Sequence, residues 1–222
     1  MTILEQKVIE LKEKLLMMAA RVEEMVASSI QALVKRDAQV AERVIEEIEG
    51  QVNRLEIEIE DLAINLMALY QPEASNLRAI TMVIKINNDL ERIGDHAVNI
   101  AEAALFLIPR PPVKPLIDLP RMADQAISML HDSLDAFTRS DANLAREVCA
   151  RDSVVDSLKD QINRELITYM TSDATTIDRA LKLMLISLNL ERIADLATNI
   201  SEDVIYAVTG EVIKHGKGEP IR

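Results

Sequence analysis

Oxygen-bearing side chains recur at spacings of four and three residues in one segment of the chain, at Glu91, Asp95, Asn99 and Glu102. On an α-helix, a spacing of four places successive side chains on one face, and the first three positions span about 12 Å of helix. The same residue types return one hundred positions later, at Glu191, Asp195, Asn199 and Glu202. Carboxylate and amide oxygens suit hard or borderline metal ions such as Mg, Mn, Fe or Zn. The two stripes therefore predict cation sites.

A second set of polar residues lies on the helix that we expect to precede each stripe. Asp152 and Asp156 occupy it in the second half of the chain, and Glu49 and Asn53 in the first. Because consecutive helices of a bundle run antiparallel, these side chains are expected to face the stripes. Asn53 removes one charge, so the first site is expected to be weaker or differently loaded. A buried asparagine that joins two helices by a hydrogen bond is the alternative.

The stripes have a metal-free interpretation as well. Like charges four residues apart destabilise a helix by roughly 0.2–0.5 kcal/mol per pair, and Arg92, Arg192 or solvent could neutralise them. The recurrence of the pattern in both halves favours a cation site over this solvated acidic face. Gly94 and Ala194, which lie between the acids, would allow close approach of either a neighbouring helix or a ligand.

Residue sets typical of catalysis are missing from the sequence. None of His96, His131 and His215 has the Glu three residues before it that a ferritin-like di-iron oxidase needs. There is no glycine-rich phosphate loop and no Gly-x-Ser-x-Gly turn. The single cysteine, Cys149, is interpreted as a small core-facing residue, with a reactive thiol as the alternative. We therefore expect a protein that is not an enzyme.

The composition predicts that helices position these residues. Of 222 residues, 49% are hydrophobic but only 2% are aromatic, and there are five glycines, a mixture that favours helices over sheets. Hydrophobic periodicity and helix-breaking residues predict six long helices, near 3–35, 38–70, 76–107, 119–139, 141–170 and 176–208. The predicted fold is all-α, with two similar antiparallel three-helix bundles.

An internal duplication relates the two halves. Residues 89–102 and 189–202 are identical at nine of fourteen positions. Five of the seven prolines lie between Pro109 and Pro120, which predicts a non-helical connector. The predicted organisation is a first bundle at 1–108, a connector at 109–120, a second bundle at 121–209 and a flexible tail at 210–222.

Charge and hydropathy limit the classes of partner. The formal net charge of −12 has the wrong sign for binding a phosphodiester backbone, so no nucleic acid is expected. No apolar run reaches the roughly 18–20 residues that a transmembrane helix needs, and the first residues do not resemble a signal peptide. A cytoplasmic protein is expected.

The duplicated Leu-Glu-Arg-Ile-(Gly/Ala)-Asp-x-Ala-x-Asn-Ile motif, with the upstream acidic pairs, resembles the PhoU family. The resemblance covers nearly the whole chain and implies a six-helix fold with multinuclear metal clusters on the bundle surfaces. The implied ions are Fe or Zn, with Mn, Ni, Mg or Ca as alternatives. By position, the resemblance assigns the ligands Glu49, Glu91 and Asp95 to the first half and Asp152, Asp156, Glu191 and Asp195 to the second. Asn53 departs from the usual Asp, and Asn99 and Asn199 could complete either site.

The resemblance also implies a role. It predicts a non-catalytic negative regulator of phosphate uptake that links the ATPase subunit of a phosphate-specific ABC transporter to the sensor histidine kinase of the phosphate response. A homodimer at the periphery of a membrane complex is expected. Two other functions remain open, a metal-storage or buffering protein and a metal-free structural adaptor.

Overall fold

The computed structural model describes residues 2–212 and 219–220 of the chain. Its helices are α1 (Ile3–Lys35), α2 (Ala38–Arg43), a π-helical turn (Val44–Ile48), α3 (Glu49–Tyr70), α4 (Ala74–Leu107), α5 (Asp118–Arg139), α6 (Ala142–Ser172), a 3₁₀ turn (Ala174–Thr176) and α7 (Ile177–Thr209). Two short strands, β1 (Glu211–Val212) and β2 (Glu219–Pro220), pair antiparallel. Because α2, the π turn and α3 run on without a break, the six predicted long helices and the all-α fold are confirmed.

The same capping chemistry separates the first and second long helices of each half. Asp37 accepts hydrogen bonds from the amides of Gln39 and Val40 at the start of α2. Asp141 does the same at the start of α6, with the amides of the second and third residues that follow it. A side-chain cap of this kind satisfies amides that have no partner inside the helix. The second long helix of each half therefore begins with the same kind of aspartate cap.

The π turn accounts for a difference in length between the halves. The two capping residues Asp37 and Asp141 are 104 positions apart, whereas Glu49 and Asp152 are 103 apart. The first half thus has one additional residue between its cap and Glu49. A π-helical turn takes up an additional residue without ending the helix, and Val44–Ile48 is that turn. It restores the register of the duplication directly before Glu49.

The core lies along the centre of each bundle. α1 packs on α3 and α4, α5 packs on α6 and α7, and the contact of α4 with α7 joins the halves. Six apolar residues of α4 that repeat at spacings of four and three form a fully buried seam, namely Ile86, Leu90, Ile93, Ala97, Ile100 and Ala104. Burial of a large aliphatic side chain contributes about 1.5–3 kcal/mol, so this seam fixes which face of α4 remains available for the acidic stripe.

The boundaries differ slightly from those predicted. α5 begins at Asp118, so residues 118–120 of the predicted connector form its first turn, where Pro120 has no intrahelical bond to lose. Residues 108–117 are not helical. The predicted flexible tail falls partly outside the described residues, and its described portion includes the paired strands. No described helix has both the length and the hydropathy needed to cross a membrane.

Candidate metal centre

The first acidic cluster lies between the start of α3 and the middle of α4. It consists of Glu49, Glu56, Glu91, Asp95 and Glu102. Burial raises the pKa of Glu49, and the charges of Asp95 and Glu102 raise it further. Burial likewise raises the pKa of Glu91, followed by the charges of Asp95 and Glu56. The structure thus brings together Glu49, Glu91 and Asp95, which the sequence predicted to face one another, and adds Glu56, which the spacing of the stripes did not indicate.

Asn53 and Asn99, the two asparagines predicted as ligands in the first half, do not belong to this group of carboxylates. Asn53 is exposed on α3. Asn99 Nδ2 donates to Asn189 Oδ1 at 3.4 Å, across the contact between α4 and α7. The structure therefore places the amide of Asn99 at the junction of the two halves, where it acts as a helix–helix hydrogen bonder.

The second acidic cluster consists of Asp152 and Asp156 on α6 and Glu191 and Asp195 on α7. Burial raises the pKa of Asp152, and the charges of Asp156 and Glu191 add to the effect. Burial also raises the pKa of Asp195, followed by the charges of Glu191 and Asp152. All four predicted carboxylates of the second half therefore share one electrostatic environment. Asn199 is half-buried on α7, one turn beyond Asp195.

A lysine lies within the second cluster. Lys159 Nζ donates to Glu191 Oε1 at 3.1 Å and to Asp156 Oδ1 at 3.4 Å, and only 21% of its side chain is exposed. The spacing of acidic residues did not indicate Lys159, although its position three residues after Asp156 places it on the same helix face. Its counterpart in the first half is Glu56, 103 positions earlier. The two clusters therefore carry opposite charges at this position, in addition to the difference between Asn53 and Asp156.

The arginines of the repeated motif neutralise the stripes only in part. Arg192 Nη1 donates to Asp195 Oδ2 at 3.1 Å, but 56% of the arginine side chain is exposed. Arg92 instead lies 3.8 Å from Asp89 Oδ1. Exposed pairs of this kind contribute about 0–1 kcal/mol. Most of the repulsion in the first cluster is therefore left to solvent or to a bound cation.

The donor chemistry of both clusters fits a cation. Oxygen ligands prefer hard or borderline metals, and a bound cation would relieve the repulsion that raises these carboxyl pKa values. Glu191 Oε2 is buried and accepts no hydrogen bond from the described residues, although Arg192 Nε lies 3.6 Å away. As the side chains are placed, no three His, Cys, Asp or Glu residues of the described chain enclose a metal position.

His96, Cys149 and Gly94, which the sequence also singled out, are buried or half-buried and are not among the carboxylates of the acidic clusters. His96 Nδ1 lies 2.9 Å from Asn189 Oδ1. Because Asn189 Nδ2 donates to Leu185 O, its Oδ1 faces His96, and Nδ1 of His96 carries the hydrogen. Burial raises the pKa of Cys149 to about 11, so its thiol is protonated at neutral pH. An added Cβ at Gly94 would meet Val52 and Met25, so this glycine faces the bundle core.

These features define a class of protein: an all-helical chain of two duplicated halves, each with an acidic cluster between its last two long helices. The family model described as the PhoU domain matches residues 15–104 and 119–204, one match in each half. The chain belongs to the PhoU family.

Individual relatives match along nearly the full chain. The phosphate-specific transport system accessory protein PhoU homolog of Aquifex aeolicus is 41% identical, covering 93% of this chain and 93% of its own length. The PhoU protein of that system in Edwardsiella tarda is 35% identical, covering 95% of this chain and 86% of its own length. The crystal structure of PhoU from Pseudomonas aeruginosa superposes with a TM-score of 0.89 at 37% identity, over 93% of this chain and 99% of that one.

Proposed function

We propose that this protein is an accessory protein of phosphate-specific transport and acts as a non-catalytic negative regulator of phosphate uptake and of the phosphate response. The observation that carries the proposal is the match to a protein of that name at 41% identity over 93% of both chains. Both halves of the duplication are matched by the family model, so the proposal rests on the whole chain and not on one matched segment.

The proposed partners are the ATPase subunit of a phosphate ABC transporter and a phosphate-sensing histidine kinase, with the protein acting as a cytoplasmic homodimer at the periphery of the membrane complex. An exposed apolar face on α7 supports a protein partner. It is formed by Ile177, Leu181, Leu185 and Leu188. One hundred positions earlier, α4 carries Leu77, Thr81, Lys85 and Asn88. The second half alone therefore presents a continuous apolar stripe on this helix, and exposed apolar patches mark interaction surfaces.

The test is a binding assay with both partners. The purified chain is titrated against the immobilised ATPase subunit and against the cytoplasmic part of the kinase, with extracts of phosphate-replete and phosphate-starved cells as a second format. We expect saturable binding to at least one partner, weakened in Leu181→Gln/Leu188→Gln. The matched control is Thr81→Gln/Asn88→Gln on α4. Absence of binding to both partners under both conditions would contradict the proposal, and light scattering tests the dimer.

We also propose that the two acidic clusters bind divalent or trivalent metal ions, Fe or Zn in the first instance, with Mn, Ni, Mg or Ca as alternatives, as multinuclear clusters. Glu49, Glu91 and Asp95 would hold the ions in the first half, and Asp152, Asp156, Glu191 and Asp195 in the second. The raised carboxyl pKa values in both clusters support this proposal. When bound, the ions would supply positive charge that ties two helices of each half together.

Elemental analysis tests the metal proposal. Protein purified without chelator or affinity tag is expected to contain several Fe or Zn ions per chain that survive dialysis against a mild chelator. Glu191→Ala/Asp195→Ala is expected to lose the ions of the second half while circular dichroism remains helical. No metal, together with no saturable binding of added divalent ions, would favour a metal-free adaptor, for which Lys159 already supplies an internal cation.

A further inference from the structure

A solvent-accessible cavity of about 180 Å³ lies at the junction of the two halves, and none of its lining residues belongs to either acidic cluster. α1 and α4 of the first half and α5 and α7 of the second contribute its walls. Its apolar wall includes Met82, Phe137, Val204 and Val208. Junctions between structural units are frequent positions of ligand sites.

Two cationic side chains, Lys12 and Arg78, also line this cavity. Among the described residues neither forms an ion pair, although the protein carries 37 acidic residues against 25 basic ones. Lys12 Nζ lies 5.6 Å from the centre of the Phe137 ring. The cavity thus combines an apolar wall with two positive charges that no described carboxylate neutralises.

The duplication supplies a comparison for this cavity. Phe137 and Ser140 on its wall correspond to Leu33 and Arg36, 104 positions earlier. Those two residues line a smaller cavity of about 40 Å³ at the other end of the junction. The duplication therefore places a cavity at each end of the junction between the halves, and the two cavities differ in volume.

The connector explains why the counterpart is small. Its apolar residues Pro111, Pro112 and Val113 line the smaller cavity. Its backbone carbonyls accept hydrogen bonds from arginines: Arg36 Nη2 donates to Arg110 O at 2.5 Å, and Arg179 Nη1 donates to Pro111 O at 2.6 Å. At this end of the junction, apolar side chains and backbone carbonyl oxygens of the connector therefore occupy space that stays open in the larger cavity.

We propose that the larger cavity binds a small organic anion that has an apolar chain or ring and a carboxylate or phosphate head. Its apolar part lies against Phe137 and Val204, and its head accepts hydrogen bonds from Arg78 and Lys12. The ligand thereby supplies what the connector supplies at the other end. Because both halves contribute walls, an occupied cavity ties them together. This site goes beyond the proposed regulatory function and does not depend on it.

Calorimetric titration of the full chain tests the site with octanoate, n-octyl phosphate, octanol, acetate and inorganic phosphate, each below its aggregation concentration. We expect one saturable site per chain for octanoate or octyl phosphate, with the tighter of the two identifying the head group. The eight-carbon anion is expected to bind at least about tenfold more tightly than acetate or inorganic phosphate, because the apolar chain is buried. Octanol is expected to bind about tenfold more weakly because it lacks the charge.

Variants distinguish the cavity from non-specific binding. Arg78→Gln and Lys12→Gln are each expected to weaken binding about tenfold, whereas the control Arg121→Gln, on the exposed surface of α5, leaves it unchanged. Ala207→Leu introduces into the cavity wall the residue that lines the smaller cavity as Leu107, and is expected to abolish binding while the protein stays folded. Absence of saturable binding, equal binding of octanol or inorganic phosphate, or unchanged binding by Ala207→Leu would overturn the proposal.

Discussion

Lys159 Nζ donates a 3.1 Å hydrogen bond to Glu191 Oε1, so an ammonium group already lies among the carboxylates of the second acidic cluster. In the first cluster the corresponding position is Glu56, which adds to the negative charge around Glu91. The sequence comparison of Asn53 with Asp156 predicted a weaker first site. The charge reversal at Glu56 and Lys159 acts in the opposite direction, because a lysine competes with a metal ion for the same oxygens.

Removal of this lysine is expected to strengthen metal binding by the second cluster. In Lys159→Met, the affinity for Mn²⁺ in that half should rise about tenfold or more, since a full charge about 3–4 Å from the ligands no longer competes. Electron paramagnetic resonance of free Mn²⁺ measures the change. Lys7→Met is the control because it breaks a surface pair with Glu10, also a lysine–glutamate contact, at 2.6 Å. An affinity that is unchanged or lower would contradict the competition.

The pH dependence of stability follows from the raised pKa of Asp195, which burial and the charges of Glu191 and Asp152 produce. The carboxyl group of Asp195 binds its proton more tightly in the folded protein than in the unfolded chain. The folded protein therefore loses stability as the pH rises above 3.8, the ordinary pKa of an aspartate. Without metal, Asp195→Asn is therefore expected to be more stable than the parent at pH 7. The gain should stay below about 1 kcal/mol because the side chain is 35% exposed.

Urea unfolding between pH 3 and pH 7 measures this difference in stability. The difference should become smaller toward pH 3, because Asp195 of the parent is then protonated in both the folded and the unfolded state. Asp173→Asn is a control of opposite sign. Hydrogen bonds from the Thr175 side chain and backbone lower the pKa of Asp173, so its substitution is expected to destabilise the protein at neutral pH and to have little effect in acid. The same sign for both variants would contradict the assignment.

Gly94 is expected to tolerate a methyl group. A Cβ there would lie 3.6 Å from Val52 Cγ1 and 3.8 Å from Met25, which is ordinary contact, and the second half already carries Ala194. Gly94→Ala should stabilise the protein by about 0.4–1 kcal/mol, because alanine lowers the entropy of the unfolded chain. Gly210→Ala is the contrast, since its φ of 76° is strained for alanine. Chemical denaturation measures both, and a loss of stability in Gly94→Ala would show closer packing than the structure has.

Cys149 is expected to react slowly. With a pKa of about 11, nearly all of the thiol is protonated at pH 8. Alkylation by iodoacetamide, followed by mass spectrometry, should be far slower than in urea. As a control, Met17→Cys in a Cys149→Ser background places a thiol at a position that is 60% exposed, and it should react at the rate of a free thiol. Equal rates in the two folded proteins would contradict the raised pKa of the half-buried Cys149.

The sequence predicted the helices well because their caps and their buried seam are local signals. Asp37 and Asp141 mark helix starts by their residue type, and Ile86 to Ala104 repeat with the period of one buried face. The proximity of Glu49, Glu91 and Asp95 was predictable as well, because antiparallel helices that pack on each other bring these side chains together.

Other parts of the site depend on helix rotation, which spacing alone does not give. Each step of four residues advances about 40° beyond a full turn, so by Asn99 the stripe has turned from Glu91 toward α7 and Asn189. Lys159 was missed because the stripes were defined by acidic residues alone. The π turn has no residue type of its own, and only the change from 104 to 103 positions between the repeats records it.

This change in separation predicts the effect of deleting a residue. Glu46 is exposed within the π turn, and its deletion gives the first half the length that α6 has in the second. The deletion variant is expected to fold with full helix content, because the π turn becomes α-helical while Val52 and the later core residues keep their register.

Deletion of Glu147 is the matched control. This residue is also an exposed glutamate, and it lies on α6 between the capping Asp141 and Asp152, but α6 has no additional residue to lose. Its removal would rotate everything that follows by about 100° and turn the buried residues Val155, Leu158 and Ile162 away from the core. We expect this variant to be unfolded or strongly destabilised. Circular dichroism with thermal unfolding compares the two, and equal loss of structure in both would show that the π turn does not compensate for the additional residue.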